Sequence, residues 1–317
     1  MRQEGRQLKR TWMAAGIAVL AAAISWTWNL WHYHQNQLGE PLFLDHHIDL
    51  QRQGFFDLYY LEDLNTEHKV MQVNFPDNPE LKVQHRMPSC NAYTYQQLCS
   101  LGIVSHTEIE VQDTASNQAK ADAKPLVVQV MFTDGASKII ETGTIRQLPG
   151  NENNDMPVNH TSSGSSSNGT GFSSLHADRP VQWVDAALQN TSLIESGKLD
   201  VYAEIYNNHV RPELYSYGHH GGVDPLDPKE EGQRLEELQF PLSLNKGDAI
   251  QIRYRINRNK FEPDEVYYTF LRMTFQDVKG EGTWEDDVVH VNRYPDLTNT
   301  DVRELVKERR SANEKGL

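Results

Sequence analysis

Residues Thr11 to Trp31 carry no formal charge, and Arg2, Arg6, Lys9 and Arg10 stand just ahead of them. As an α-helix such a run would be about 31 Å long, enough to cross a hydrocarbon core of roughly 30 Å. No second apolar run of that length occurs. The pattern predicts one transmembrane helix over 11–31, with the rest of the chain forming a water-exposed domain on one side of a bilayer.

Charge sets the expected direction. Four basic residues against Glu4 precede the run, whereas the first formal charges after it are Glu40 and Asp45. By the positive-inside rule, residues 1–10 are a cytoplasmic tail and the C-terminal domain is extracytoplasmic, as in a single-pass protein of the cell membrane. Trp12 near one end, and Trp26, Trp28, Trp31 and Tyr33 near the other, put amphipathic rings at headgroup level. The competing reading is a cleaved signal peptide ending at Ala21-Ala22-Ala23. Uncharged sequence continues past those alanines through Ile24, which favours an uncleaved signal-anchor. Both readings export the rest of the chain.

Removing the four basic and one acidic residues of the first ten from the 30 Lys+Arg and 44 Asp+Glu of the whole chain leaves 26 against 43, a net charge of −17. Such a surface repels phosphate polymers, so nucleic acid is not an expected partner. The acidity itself keeps an exported domain soluble. Cys90 and Cys99, the only two cysteines, lie close together in the exported part. An oxidising compartment predicts a disulfide between them, with two unpaired thiols as the alternative. No pattern points to a cofactor.

Beyond residue 50 the sequence reads as short strands. Phe55 to Leu61, Lys69 to Phe75 and Leu81 to His85 are rich in aromatic and β-branched residues, broken by Asn65, Pro76, Asn78 and Pro79. Ile103 to Val111 alternates in part, and Leu126 to Phe132 is nearly all apolar, as in a strand buried on both faces. Thr133-Asp134-Gly135 is a turn into Ser137 to Leu148. Residues 150–178 are dominated by Asn, Ser, Gly and Thr and read as a flexible linker or inserted loop, with nothing to fill a core. Pro180 to Gln189 places Val181, Val184 and Leu188 on one side of a short helix.

Leu199 to Tyr206 and Ile250 to Asn257 alternate with period two, the mark of half-buried antiparallel sheet, and Asn245 to Asp248 is the turn before the second. Val266 to Phe275 is another apolar strand. From about Thr300 to Glu314, Val302, Leu305 and Val306 share one helical face. The expected fold is mostly β: an antiparallel β-sandwich-like ectodomain behind the N-terminal helix. It comprises a first β unit over 32–149 and a second over 179–317 that ends in a short C-terminal helix.

Thirteen histidines include two clusters, Asp45-His46-His47-Ile48-Asp49 and the segment Tyr215 to Asp227. A closed Zn²⁺ site needs about four ligands in tetrahedral array, and adjacent strand residues point to opposite faces, so no metal site is assigned. The second cluster contains Gly218, Gly221 and Gly222, which free the backbone of that restriction. Tyr215, Tyr217, His219, His220, Asp224 and Asp227 there form a candidate ligand-binding loop.

A second candidate surface arises if Leu199 to Tyr206 pairs with Ile250 to Asn257. Tyr202 and Tyr206 then come beside Arg253 and Arg255, with Asp200 and Glu204 near them. Tyr and Arg are enriched at contact hot spots; the plainer alternative is cross-strand charge pairing on a solvated face. Gly-x-Ser-x-Gly, His-Glu-x-x-His and Gly-x-x-x-x-Gly-Lys do not occur. The chain therefore reads as a binding, accessory or sensing module of the cell envelope that meets an envelope protein or a glycan. An envelope hydrolase, metal-assisted, is the alternative, and a structural spacer the third reading.

Overall fold

The computed structural model describes residues 2–51, 54–84, 87–105, 122–148, 155–166, 168–207, 232–280 and 282–314, without the side chains of 2–11, 14, 313 and 314. A long helix, α1 (Arg2–Gln35), comes first. The strands that follow are β1 (Leu42–Phe43), β2 (Asp45–Gln51), β3 (Phe55–Asp63), β4 (Val70–Asn74), β5 (Leu81–Val83), β6 (Ser89–Ala92), β7 (Gln96–Ser105), β8 (Lys124–Phe132) and β9 (Ser137–Leu148). After these come β10 (Val158–Ser165), β11 (Thr170–Ala177), β12 (Val181–Leu188), the single helical turn α2 (Ser192–Glu195), β13 (Leu199–Tyr206) and β14 (Gln233–Arg234). The last elements are β15 (Leu242–Leu244), β16 (Ala249–Ile256), β17 (Glu265–Asp277), β18 (Thr283–Arg293) and α3 (Asn299–Glu314).

Three sheets result. The first has the order β1-β3-β7-β5, with β6 also on β7, and the second β10-β11-β16-β13-β14. The third has the order β15-β12-β17-β2-β9-β8-β4, with β18 also on β17. The fold is mostly β and sandwich-like, as the alternation implies. Among the described residues pairing is antiparallel except at β2, which runs parallel to both β17 and β9. Its contact with β9 is close. Gly143 has φ +113°, and a Cβ there would lie 2.0 Å from the carbonyl oxygen of His46, so only glycine fits.

β17 determines how the sheets stack. Its Val266 and Tyr268 belong to one core, with Phe56, Leu58 and Ile103 of the first sheet and Ile48, Leu126 and Val128 of the third. Its Tyr267, Leu271, Met273 and Phe275 belong to another, with Leu175, Val201, Ile250 and Ile252 of the second sheet and Trp183 and Val289. Successive strand residues point to opposite faces. The two cores therefore lie on opposite sides of one strand, and Val266 to Leu271 are buried without a break. On α3, Val302, Leu305 and Val306 pack into the first core on the face their spacing predicts. Thr298 and Asp301 cap the start of α3 reciprocally: the Thr298 N–H donates to Asp301 Oδ2 (2.7 Å) and the Asp301 N–H to Thr298 Oγ1 (3.3 Å).

Several sequence expectations are corrected. Residues 158–165 and 170–177, read as part of a linker or inserted loop, form the hairpin β10–β11, from Val158↔Ala177 to Ser165↔Gly171, and β11 pairs onward with β16. Backbone hydrogen bonds make such a ladder with few apolar side chains, and composition does not report them. The helix read over Pro180 to Gln189 is strand β12. Its pairing slips between Trp183 and Asp185, and this bulge shifts the inward set from Val181 and Trp183 to Leu188, which imitates a helical spacing. Leu126 to Phe132 is fully buried on one face and only partly on the other. The third sheet joins strands from both sides of 150–178, so the two expected units share it.

On α1 the large apolar side chains from Trp12 to Trp31 are 49–73% exposed. Among the described residues no helix is long and apolar enough to cross a membrane, so the crossing read from 11–31 is not shown. The end of α1 is fastened to the first sheet. The buried Asp63 carboxylate accepts the N–H groups of Leu38 and Gly39 (3.0 Å each) and Nε2 of Gln96 (2.8 Å), while Tyr33 meets Tyr95 edge-on with ring centroids 6.0 Å apart.

Candidate functional site

β13 and β16 are neighbours, and the register puts Tyr202 opposite Arg253, Asp200 opposite Arg255 and Glu204 opposite Gln251. On the other flank of β16, β11 places Phe172 opposite Arg253 and Ser174 opposite Gln251. Arg234 of β14 faces Tyr202. Directly opposed residues share a face, so these side chains form one outer surface while Val201, Ala203, Ile250 and Ile252 fill the core beneath.

Arg253 is the centre of that surface and is only 5% exposed. Its Nη2 donates to Gln251 Oε1 (2.7 Å) and to the Tyr206 hydroxyl (3.5 Å), and lies 3.9 Å from Glu204 Oε2. The Tyr206 hydroxyl donates to the same Glu204 oxygen at 2.5 Å. Arg234 sits 5.9 Å over the Tyr202 ring and 3.5 Å from Asp200. The arrangement is thus a cross-strand network that engages Tyr202 and Tyr206, with Arg255 half-buried on the same face. The two strands do pair, which meets the condition on which this surface was raised. Phe172, Ser174 and Arg234 were missed, because β11 lay inside the supposed linker and β14 has only two residues.

Tyr215, Tyr217, His219, His220, Asp224 and Asp227 lie outside the described residues. The segment that contains them leaves β13 just after Tyr206 and enters β14 just before its pairing with Ala203 and Tyr202. Both sequence-level candidates are therefore attached to the same edge of one sheet.

The Asp45 to Asp49 cluster is divided by its strand. His46 is fully buried, its Nδ1 donating to Leu44 O (2.8 Å) and its Nε2 accepting the Tyr59 N–H (2.9 Å). It serves where the chain crosses from the first sheet to the third, and stands in for the carbonyl a continuing strand would offer. His47 faces the other way, stacked on Tyr267 at 4.5 Å and 3.2 Å from Asp45. Asp49 accepts from Thr269 (2.6 Å), lies 3.4 Å from Arg146, and is pushed above the usual carboxylate value by burial. Among the described residues no group of three or more His, Cys, Asp or Glu is placed to hold a metal ion. Cys90 and Cys99, directly opposed on β6 and β7, form a disulfide.

At the other end of the second sheet, where β16 ends at Ile256, a cleft of about 780 Å³ opens between the β10–β11 turn and β18 with the segment after it. Its residues come from separate parts of the chain with no shared motif, so spacing could not mark it.

No protein-family model matches the sequence, and no curated protein matches it. Among solved structures, the D00-D0 domain of Intimin aligns over 79% of this chain and 98% of its own, at 8% identity and a TM-score of 0.22. A likeness at that score carries no argument about fold or function.

Proposed function

We propose that the chain is a membrane-anchored binding module of the cell envelope, which meets a protein partner through the tyrosine–arginine face of the second sheet and the loop attached to its edge. The observation that carries this reading is the fixed network around Arg253. It holds the Tyr206 hydroxyl, and Arg234 covers the Tyr202 ring, before any partner arrives, which lowers the ordering cost of contact. Large rigid tyrosines beside arginines are the residue types that dominate interface energetics.

The anchor rests on sequence. The uncharged run from Thr11 to Trp31 is long enough as a helix to cross a bilayer, and its large apolar side chains are exposed. Basic residues before the run orient the tail to the cytoplasm and the domain outward.

A photo-cross-linking residue placed at Tyr202 in the full chain, in its native membranes, tests the contact surface. One discrete adduct that disappears with Arg255→Glu is expected; a pattern no different from that of the same probe at the exposed, remote Ile139 refutes it. External protease on intact cells should digest the domain and spare the N-terminal tail. A mature protein beginning at Ile24 would eliminate the anchor.

A further inference from the structure

We infer that the cleft at the Ile256 end of the second sheet is a binding site for a neutral oligosaccharide. Its volume, about 780 Å³, falls within the ~300–1,000 Å³ range of ligand sites. Its lining takes Tyr254 and Ile256 of β16, which alternate with Arg253 and Arg255 and so point to the other side of the strand, making it a site separate from the tyrosine–arginine face.

The wall carries an aromatic plate. Tyr294 is 50% exposed, yet its ring is fixed. Tyr268 and Tyr59 meet it edge-on at centroid distances of 5.8 and 6.4 Å, and its hydroxyl accepts from Asn292 Nδ2 at 3.3 Å. Beneath, Tyr254 is buried with its ring lying across Gly171, where a Cβ would come 2.4 Å from the Tyr254 hydroxyl. A preorganised ring of this kind offers an apolar surface to the C–H face of a sugar at little entropic cost.

Donors and acceptors stand beside the plate in pairs. Arg258 Nη1 donates to Asp296 Oδ2 at 3.0 Å, and both side chains are exposed, at 47% and 81%. Asn259 and Asn292 line the same cleft, and each amide both donates and accepts. Vicinal hydroxyls, themselves donors and acceptors, match such a set.

Charge narrows the ligand class. Arg258 and Arg293 are balanced by Asp296 and Asp301 in the lining, in a chain whose net charge is −14. Arg293 is turned to the protein, donating to the carbonyls of Glu265 and Glu262 and lying 5.2 Å over the Phe261 ring. A nearly neutral cleft on an acidic chain selects against polyphosphates and gives a strong cation no excess of carboxylate. An aromatic plate flanked by a balanced ion pair and two neutral amides remains.

The full chain, in a zwitterionic detergent without a sugar headgroup, is titrated by calorimetry with cellotetraose, maltotetraose and N-acetylchitotetraose. Saturable binding of at least one is expected. Tyr294→Ala and Arg258→Ala should each weaken it about tenfold or more, and Tyr294→Phe, which keeps the ring, less than about threefold. No binding of any of the three at ~10 mM overturns the inference. So does wild-type affinity in a Tyr294→Ala protein that melts normally. If Tyr294→Ala does not fold, Arg258→Ala, which alters an exposed group outside the core, decides in its place.

Discussion

Acidification below about pH 6.5 should destabilise this fold through His46, and His46→Gln should remove that part of the response. The ring is wholly buried between Leu44 O, which accepts from Nδ1, and the Tyr59 N–H, which donates to Nε2. A second proton would have to displace Tyr59. Burial is the largest influence and pushes the pKa down to about 4, against the opposing effect of the bond to Leu44. Because this folded value lies below the ordinary 6.5, the native state refuses a proton that the unfolded chain accepts. Above 6.5 both states are neutral and nothing is lost. As pH falls from there toward 4 stability declines, by about 2 kcal/mol at pH 5 and about 3 kcal/mol in full.

Urea unfolding followed by near-ultraviolet circular dichroism, at intervals between about pH 7.5 and 5, measures this. Glutamine can still accept from Tyr59 but leaves Leu44 O without its partner, so the variant should be about 1–3 kcal/mol less stable near pH 7.5. The gap between the two proteins should then shrink by about 2 kcal/mol toward pH 5, since only the wild type carries the ionisable ring. A gap that stays constant over the range would refute the reasoning, because the two proteins share every other titrating group.

Gly143→Ala should cost more than ~2 kcal/mol, because the new Cβ collides with the His46 backbone at a positive φ; a thermal melt within a degree of wild type would mean that β2 and β9 are not paired in this register. Reducing the Cys90–Cys99 bond should lower the melting temperature by a few degrees without abolishing the fold, since a loop this short is worth about 2–3 kcal/mol at most and β6 is exposed throughout. Complete unfolding on reduction would contradict that. His160 donates to Asp286 at 3.0 Å, and this bond raises its pKa. The pair therefore stabilises the fold below the ordinary histidine value and ceases to as pH rises through the raised one. In Asp286→Asn an NMR titration of His160 should return toward 6.5, and an unmoved midpoint would show that Asp286 is not the cause.

Local signals were legible wherever one strand or helix face is buried by its own periodicity. Val302, Leu305 and Val306 sit in the core on the helical face their spacing gives. The alternation at Leu199 to Tyr206 and Ile250 to Asn257 anticipated both strands, while their pairing, which the sequence raised only as a condition, is what puts Tyr202 opposite Arg253. The signal failed where backbone pairing, rather than apolar side chains, holds an element. In the β10–β11 hairpin, Val158, Leu175 and Ala177 are the side chains that reach the core, too few for composition to register a strand. It failed again at β12, where one bulge residue gives a strand the spacing of a helix.

The sequence by itself determined the uncharged N-terminal run, the acidic exterior, the positions of most strands and the amphipathic C-terminal helix, since each depends on residues within one element. Tertiary structure alone decided that β2 runs parallel between β17 and β9, that β17 serves a core on each face, and that Tyr294, Arg258 and Asp296 meet Asn292 in one cleft. Those outcomes depend on which distant strands pair. Periodicity specifies which face of an element is buried, but the partner that buries it is set by the packing of the whole chain.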